Sequence, residues 1–154
     1  MKAILLAIDF SRDTDRIVEH GAAYARAFGA ELILVHVAAP DPDFVGYKAG
    51  PQSVRDQLAR HYHREHHQLQ EMEERLRAES LRCRALLIQG PTVEKLVSEA
   101  HRVSAGLIVM GSHGHGVVHN LLVGSATEGV LRKAVCPVLV VPSGGKDRDE
   151  FAGE

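Results

Sequence analysis

Residues 111–128 read Gly-Ser-His-Gly-His-Gly-Val-Val-His-Asn-Leu-Leu-Val-Gly-Ser-Ala-Thr-Glu, and they carry the most definite chemistry in the chain. Gly111 and Gly114 have no side chain to hold a ligand away from the backbone, while Gly124 and Ser125 would open a helix whose free N–H groups and dipole attract an anion. That is phosphate-binding chemistry built from main chain. Ser125 also stands three residues before Glu128, the spacing of a capping box, which would fix the helix start with or without a ligand. Two familiar nucleotide loops do not fit. Gly111 and Gly116 have Walker A spacing, but Val117 and Val118 occupy the places of its Lys and its Ser or Thr, and no GxGxxG follows the first predicted strand.

The elements that must position this loop are legible from apolar patterning. Ala3–Ile8 is an unbroken apolar run ending at Asp9, and Glu31–Val37, Arg84–Gln89, Leu107–Met110 and Val138–Val141 repeat its character. Continuous apolar runs of this length predict strands buried on both faces, as in a parallel sheet. Helical patterns alternate with them: Ile17, Val18, Ala22 and Ala25 ahead of Gly29; Leu96, Val97, Ala100 and Val103; and Val130, Leu131 and Ala134. The alternation predicts an α/β fold, a single open doubly wound sheet of five parallel strands with helices on both faces.

One long connection, Ala39–Gly50, is rich in Pro and Gly and leads into a helix predicted from about Pro51 to Leu81, with Pro51 in its first turn. Val54, Leu58, Tyr62, Leu69, Met72 and Leu76 form one stripe on that helix. Glu65 falls inside the stripe, one turn from His61, so this part of the helix is expected to face a partner or a solvent gap instead of a dry core. His61, His63, His66 and His67 invite a metal reading because His63 and His67 are one turn apart. Both point away from the stripe and no third ligand is fixed in sequence, so a solvated face is the better expectation and no metal site is assigned.

Length and composition limit the alternatives. A chain of 154 residues is one domain's worth, here residues 1–142 followed by a flexible polar tail over 143–154. With 45% hydrophobic and 25% charged residues it can bury an ordinary core. A formal charge of −2 with scattered Lys and Arg argues against nucleic acid, and no apolar run approaches the roughly 20 residues of a membrane span. Cys83 and Cys136 lie outside any CxxC arrangement and no signal-peptide pattern opens the chain, so a cytoplasmic location is expected.

Gly111-x-x-Gly114, nine residues, then Gly124-Ser125 resembles the ATP-binding signature of the universal stress protein family. The resemblance extends over most of the chain: Ile8-Asp9-Phe10-Ser11, Leu34-Val35-His36-Val37 and Cys136-Pro137-Val138-Leu139-Val140-Val141 look like the family's first, second and last strands. It implies strand order 3-2-1-4-5, which places the ends of the first and fourth strands together at the switch point where open α/β sheets bind ligands. It further implies that Asp9 and Val37 meet adenine and ribose, that Met110 lies beside the nucleotide, and that Gly111, Gly114, Gly124 and Ser125 take the ribose and phosphates of ATP, with Mg2+. The plainer role for Asp9 is a turn or helix-cap residue. Many family members carry Arg or Lys just after the second glycine and again shortly beyond, where this chain has His115 and His119; no Lys or Arg occurs from Val103 to Leu131.

An ATP-binding stress-response sensor or regulator is therefore expected. A slow ATP hydrolase on the same fold and a dimeric interaction module without nucleotide are the alternatives. No nucleophile paired with an oriented base is apparent, so at most a weak ATPase is implied. In the implied order the last strand is a sheet edge, and Val138, Leu139, Val140 and Val141 carry no charge or bulge to guard it, which predicts a homodimer joined through these residues. The same order puts Cys83 and Cys136 at opposite edges, too far apart for a disulfide.

Overall fold

In the computed structural model, which describes residues 1–38, 51–112 and 123–143, the apolar runs form the strands β1 (Ala3–Ile8), β2 (Glu31–Ala38), β3 (Cys83–Gln89), β4 (Leu107–Gly111) and β5 (Val138–Val141). The helices between them are α1 (Thr14–Phe28), α2 (Gln52–Ala78), α3 (Thr92–Arg102) and α4 (Ser125–Lys133). All strands are parallel, in the order β3-β2-β1-β4-β5. The predicted boundaries of every strand hold to within one residue. Pro51 differs slightly from its expected place: with ψ at 145° it precedes α2 as the N-cap residue.

Alternate residues of the central strands feed two cores, which explains why their sequences are apolar without a break. Ile4, Leu6, Leu32 and Leu34 pack under Ile17 and Val18 of α1 and Leu69 and Leu76 of α2. Leu5, Ile33, Val35 and Ile108 pack under Leu96 and Ala100 of α3 and Val130 of α4. Each fully buried Leu or Ile contributes about 1.5–3 kcal/mol relative to exposure, so the β1–β2 centre is the firmest part of the molecule. β3 and β5, at the edges, are only half covered. Helix α1 stops at Gly29, whose left-handed φ of 60° lets its N–H turn back to the Ala25 and Arg26 carbonyls.

Cys83 opens β3 and Cys136 lies just before β5, so the sheet order separates them, and both are free thiols. Burial, aided by the Glu73 carboxylate, pushes the Cys83 thiol from its ordinary 9.0 up to about 12. Burial raises Cys136 as well. Among the described residues no helix is long and apolar enough to cross a membrane. Ser143 is held by its N–H, which donates to Ser112 Oγ at 3.0 Å; residues 144–154, most of the expected tail, lie outside the described residues.

Candidate functional site

Parallel strands all end on one side of the sheet, and the reversal of strand order between β1 and β4 leaves a crevice there. Asp9 follows the last residue of β1, Val37 is the penultimate residue of β2, and Met110 and Gly111 close β4. Asp9, Val37, Met110 and Gly111 therefore gather at the ends of three adjacent strands although 102 positions separate the first from the last. Met110 is buried and Val37 half-buried in the core under α3 and α4, while the Asp9 carboxylate supplies an acceptor. Gly114, with the whole 113–122 segment, lies outside the described residues.

The other wall is assembled from main chain. Gly124 N–H donates to Ser112 O at 2.7 Å, closing the two flanks of that segment on each other. Ser112 N–H donates to Val141 O at 2.8 Å, and Thr127 Oγ1 donates to Gly111 O at 2.9 Å, which pins the first turn of α4 to the end of β4. The expected capping box does not form. Helix α4 begins at Ser125 itself, Gly124 is the N-cap residue, and among the described residues no side chain caps it. Glu128 instead accepts from Arg132 one turn on, and among the described residues no side chain caps the first N–H groups of α4. Helix N-terminal N–H groups beside a glycine are donors of the kind that attract an anion.

Asp9 plays the plainer role considered for it. Its Oδ1 accepts from Ser11 N–H at 3.0 Å and more weakly from Thr14 Oγ1 at 3.4 Å, folding the β1–α1 turn. Phe10, between them, sits at a φ of 55°, a left-handed conformation seldom taken by an aromatic residue. Its ring leans on His36, with centroids 4.6 Å apart.

His36 marks the point at which sequence reasoning stopped short. It is buried in β2, with Nδ1 2.7 Å from Ile8 O and Nε2 3.1 Å from Glu65 Oε1. Glu65 of α2 thus faces neither a partner nor a solvent gap: it is buried against the sheet beside the crevice. His61 Nε2 reaches the same Oε1 at 3.0 Å from an exposed position one turn away. The signal for this contact was the carboxylate inside an apolar stripe together with a histidine inside an apolar strand, two polar side chains that only the fold pairs. His63, His66 and His67 are exposed, as expected of a solvated face, and His67 pairs with Glu71. Among the described residues no group of three or more His, Cys, Asp or Glu is arranged to hold a metal ion.

The sequence model of the Universal stress protein family matches residues 1–142. The chain is 36% identical over 146 residues to the Universal stress protein in QAH/OAS sulfhydrylase 3'region of Thermus aquaticus, covering 91% of this chain and 98% of that protein. Among solved structures it resembles hypothetical protein MJ0577 of Methanocaldococcus jannaschii, with a TM-score of 0.76 at 27% identity over 94% of this chain and 98% of that one. It also resembles a universal stress protein solved in complex with cAMP, with a TM-score of 0.66 at 25% identity over 92% and 96% of the two chains.

Proposed function

The chain belongs to the universal stress protein family, and on that premise we propose that its crevice binds an adenine nucleotide, ATP with Mg2+, in a sensing or regulatory role in stress response. The observation that carries this reading is the uncapped N-terminus of α4 tied to Gly111 at the end of β4, across the crevice from Asp9. The ribose and phosphates would meet Gly111, Gly114, Gly124 and Ser125, and the adenine would lie against Val37 and Met110 with Asp9 at its edge. The relative bound to cAMP supports the adenine nucleotide class. Mg2+ would reach the site on the phosphates, since no carboxylate cluster among the described residues holds a metal unaided. The described side chains offer no activated nucleophile, which favours binding over turnover and leaves weak ATPase activity as the most the site supports.

Calorimetry with ATP and GTP, alongside analysis of any nucleotide extracted with the purified protein, tests this. Micromolar ATP binding with little GTP binding is expected. Equal affinity for the two, or none for either, would refute the adenine reading and leave the family's fold serving as an interaction module.

The same reading includes a homodimer through β5. This strand is a sheet edge, and Leu131 and Val135 expose apolar surface on the segment leading to it. Leu139 packs into the core, so Val140→Lys is the cleaner probe. Light scattering should give a dimer for the native chain and a smaller mass for the variant; a native monomer at high micromolar concentration overturns the assembly.

A further inference from the structure

The contacts of His36 require a proton that no neutral arrangement of the side chains supplies. A carbonyl oxygen only accepts, so the 2.7 Å contact with Ile8 O places the hydrogen of His36 on Nδ1. A neutral imidazole has no second N–H, and its Nε2 would then turn a lone pair toward Glu65 Oε1, an acceptor 3.1 Å away. Turning the ring over would put carbon against both oxygens. Ring and carboxylate must therefore share one further proton, as imidazolium with carboxylate or imidazole with carboxylic acid; the proton belongs to the pair.

Among the described residues, the His61 ring is the further titratable group that touches the pair, at Glu65 Oε1. Ile8 and Leu87, the register partners of His36 on β1 and β3, are apolar, and α1 turns Ile17 and Val18 into the same core. From α2 come Glu65 and His61, and beyond Ile8 comes Asp9, whose Oδ1 is engaged by the β1–α1 turn. Glu65 Oε2 is buried with no hydrogen-bond partner among the described residues, so the hold on Glu65 runs through Oε1 alone.

We propose that His36 and Glu65 are positioning residues for the nucleotide site: a proton-holding pair, joining α2 to the Ile8-Asp9-Phe10 turn, that makes nucleotide affinity depend on the pair's proton. This rests on the adenine nucleotide reading above. The turn is where the linkage acts, because His36 grips the Ile8 carbonyl on one side of Asp9 and supports the left-handed Phe10 on the other. When the proton leaves, Nε2 and Oε1 repel, the ring loses its fixed seat, and Asp9 loses its fixed approach to the ligand. By reciprocity, nucleotide binding tightens the hold on the proton and on α2.

Glu65→Gln separates the proton from the contact, because the glutamine amide donates to the neutral Nε2 and keeps the ring in place. ATP affinity at fixed free Mg2+, measured from pH 6 to 9, should fall about tenfold in the native protein beyond any change in the variant, as expected for losing one charge-assisted hydrogen bond. Ionisation of ATP and of histidines that do not touch Glu65 affects both proteins alike and cancels, and His61, which does touch it, is replaced by glutamine in both. Parallel pH profiles would overturn the proposal. Nitrogen-15 NMR without nucleotide gives a second reading: the Phe10 amide should shift together with the His36 ring titration in the native protein and stay still in Glu65→Gln. A Phe10 amide indifferent to the His36 ring overturns the coupling even if the protein binds no nucleotide. Absent ATP binding with the coupled NMR shift intact refutes the nucleotide reading alone.

Discussion

The two walls of the crevice are made of different material. On the β4–α4 side the parts are main chain: Gly124 N–H on Ser112 O, Ser112 N–H on Val141 O, Thr127 Oγ1 on Gly111 O, and a helix start without a side-chain cap. On the β1–β2 side they are side chains: the Asp9 carboxylate folding its own turn, Phe10 in a left-handed conformation, and His36 between Ile8 O and Glu65. A backbone wall presents fixed partial charges that no pH change removes. A side-chain wall holds its geometry only while each of its contacts is made, so it is the wall that a change of conditions can alter.

The strongest test of the comparison attacks the backbone wall where ligand and main chain must touch. Gly114→Val with Gly124→Val would bring branched side chains to the proposed phosphate positions; Gly124 has a φ of −70°, which any residue adopts, so valine there needs no strained backbone. ATP affinity should fall at least about a hundredfold, beyond what one lost hydrogen bond explains. Unchanged calorimetric affinity in the folded variant would show that the phosphates lie elsewhere.

A smaller effect is expected from Thr127→Val, which keeps the shape of a buried side chain but removes the bond to Gly111 O. Leaving that carbonyl without its donor should cost about 1–3 kcal/mol of stability. If α4 is positioned through this bond, ATP affinity should also drop several-fold. A loss of stability by denaturant unfolding with affinity untouched would mean that the Gly124–Ser112 closure positions α4 without help.

The two walls also differ in how far they could be read in advance. Small residues at fixed intervals made Gly111, Gly124 and Ser125 candidates in the sequence, and continuous apolar runs gave the strands to within one residue. Local reasoning still erred at Ser125: its spacing to Glu128 satisfied the capping-box pattern, yet Gly124 caps the helix and Glu128 prefers Arg132. The side-chain wall was legible only as anomalies. His36 looked like one more strand residue, and Glu65 like a gap in an apolar stripe, because their partnership spans β2 and α2 and depends on where a long helix crosses the sheet. Periodicity states that a face is buried; it does not name what lies opposite a buried charge.

The smallest expected effect concerns His113, His115 and His119, which stand in the stretch lacking any Lys or Arg and lie outside the described residues. If they replace the cations usual in the family, phosphate favours their protonated forms, and nucleotide binding raises their pKa values. The sign follows: affinity rises as pH falls from about 8 toward 6, across the unperturbed histidine value near 6.5. One protonated histidine at an exposed site contributes about 1 kcal/mol, or roughly fivefold in affinity. Protonation of the terminal phosphate near pH 6 opposes this and weakens metal bridging, so ADP and ATP are compared at fixed free Mg2+. The measurement sets native protein against His113→Gln, His115→Gln and His119→Gln combined, and both against Glu65→Gln. The triple variant should lose the gain on the acid side and keep the decline on the alkaline side, while Glu65→Gln does the reverse. The two limbs then report separate walls. Identical profiles in native protein and triple variant would assign phosphate binding to the backbone wall and leave the three loop histidines without a role in it.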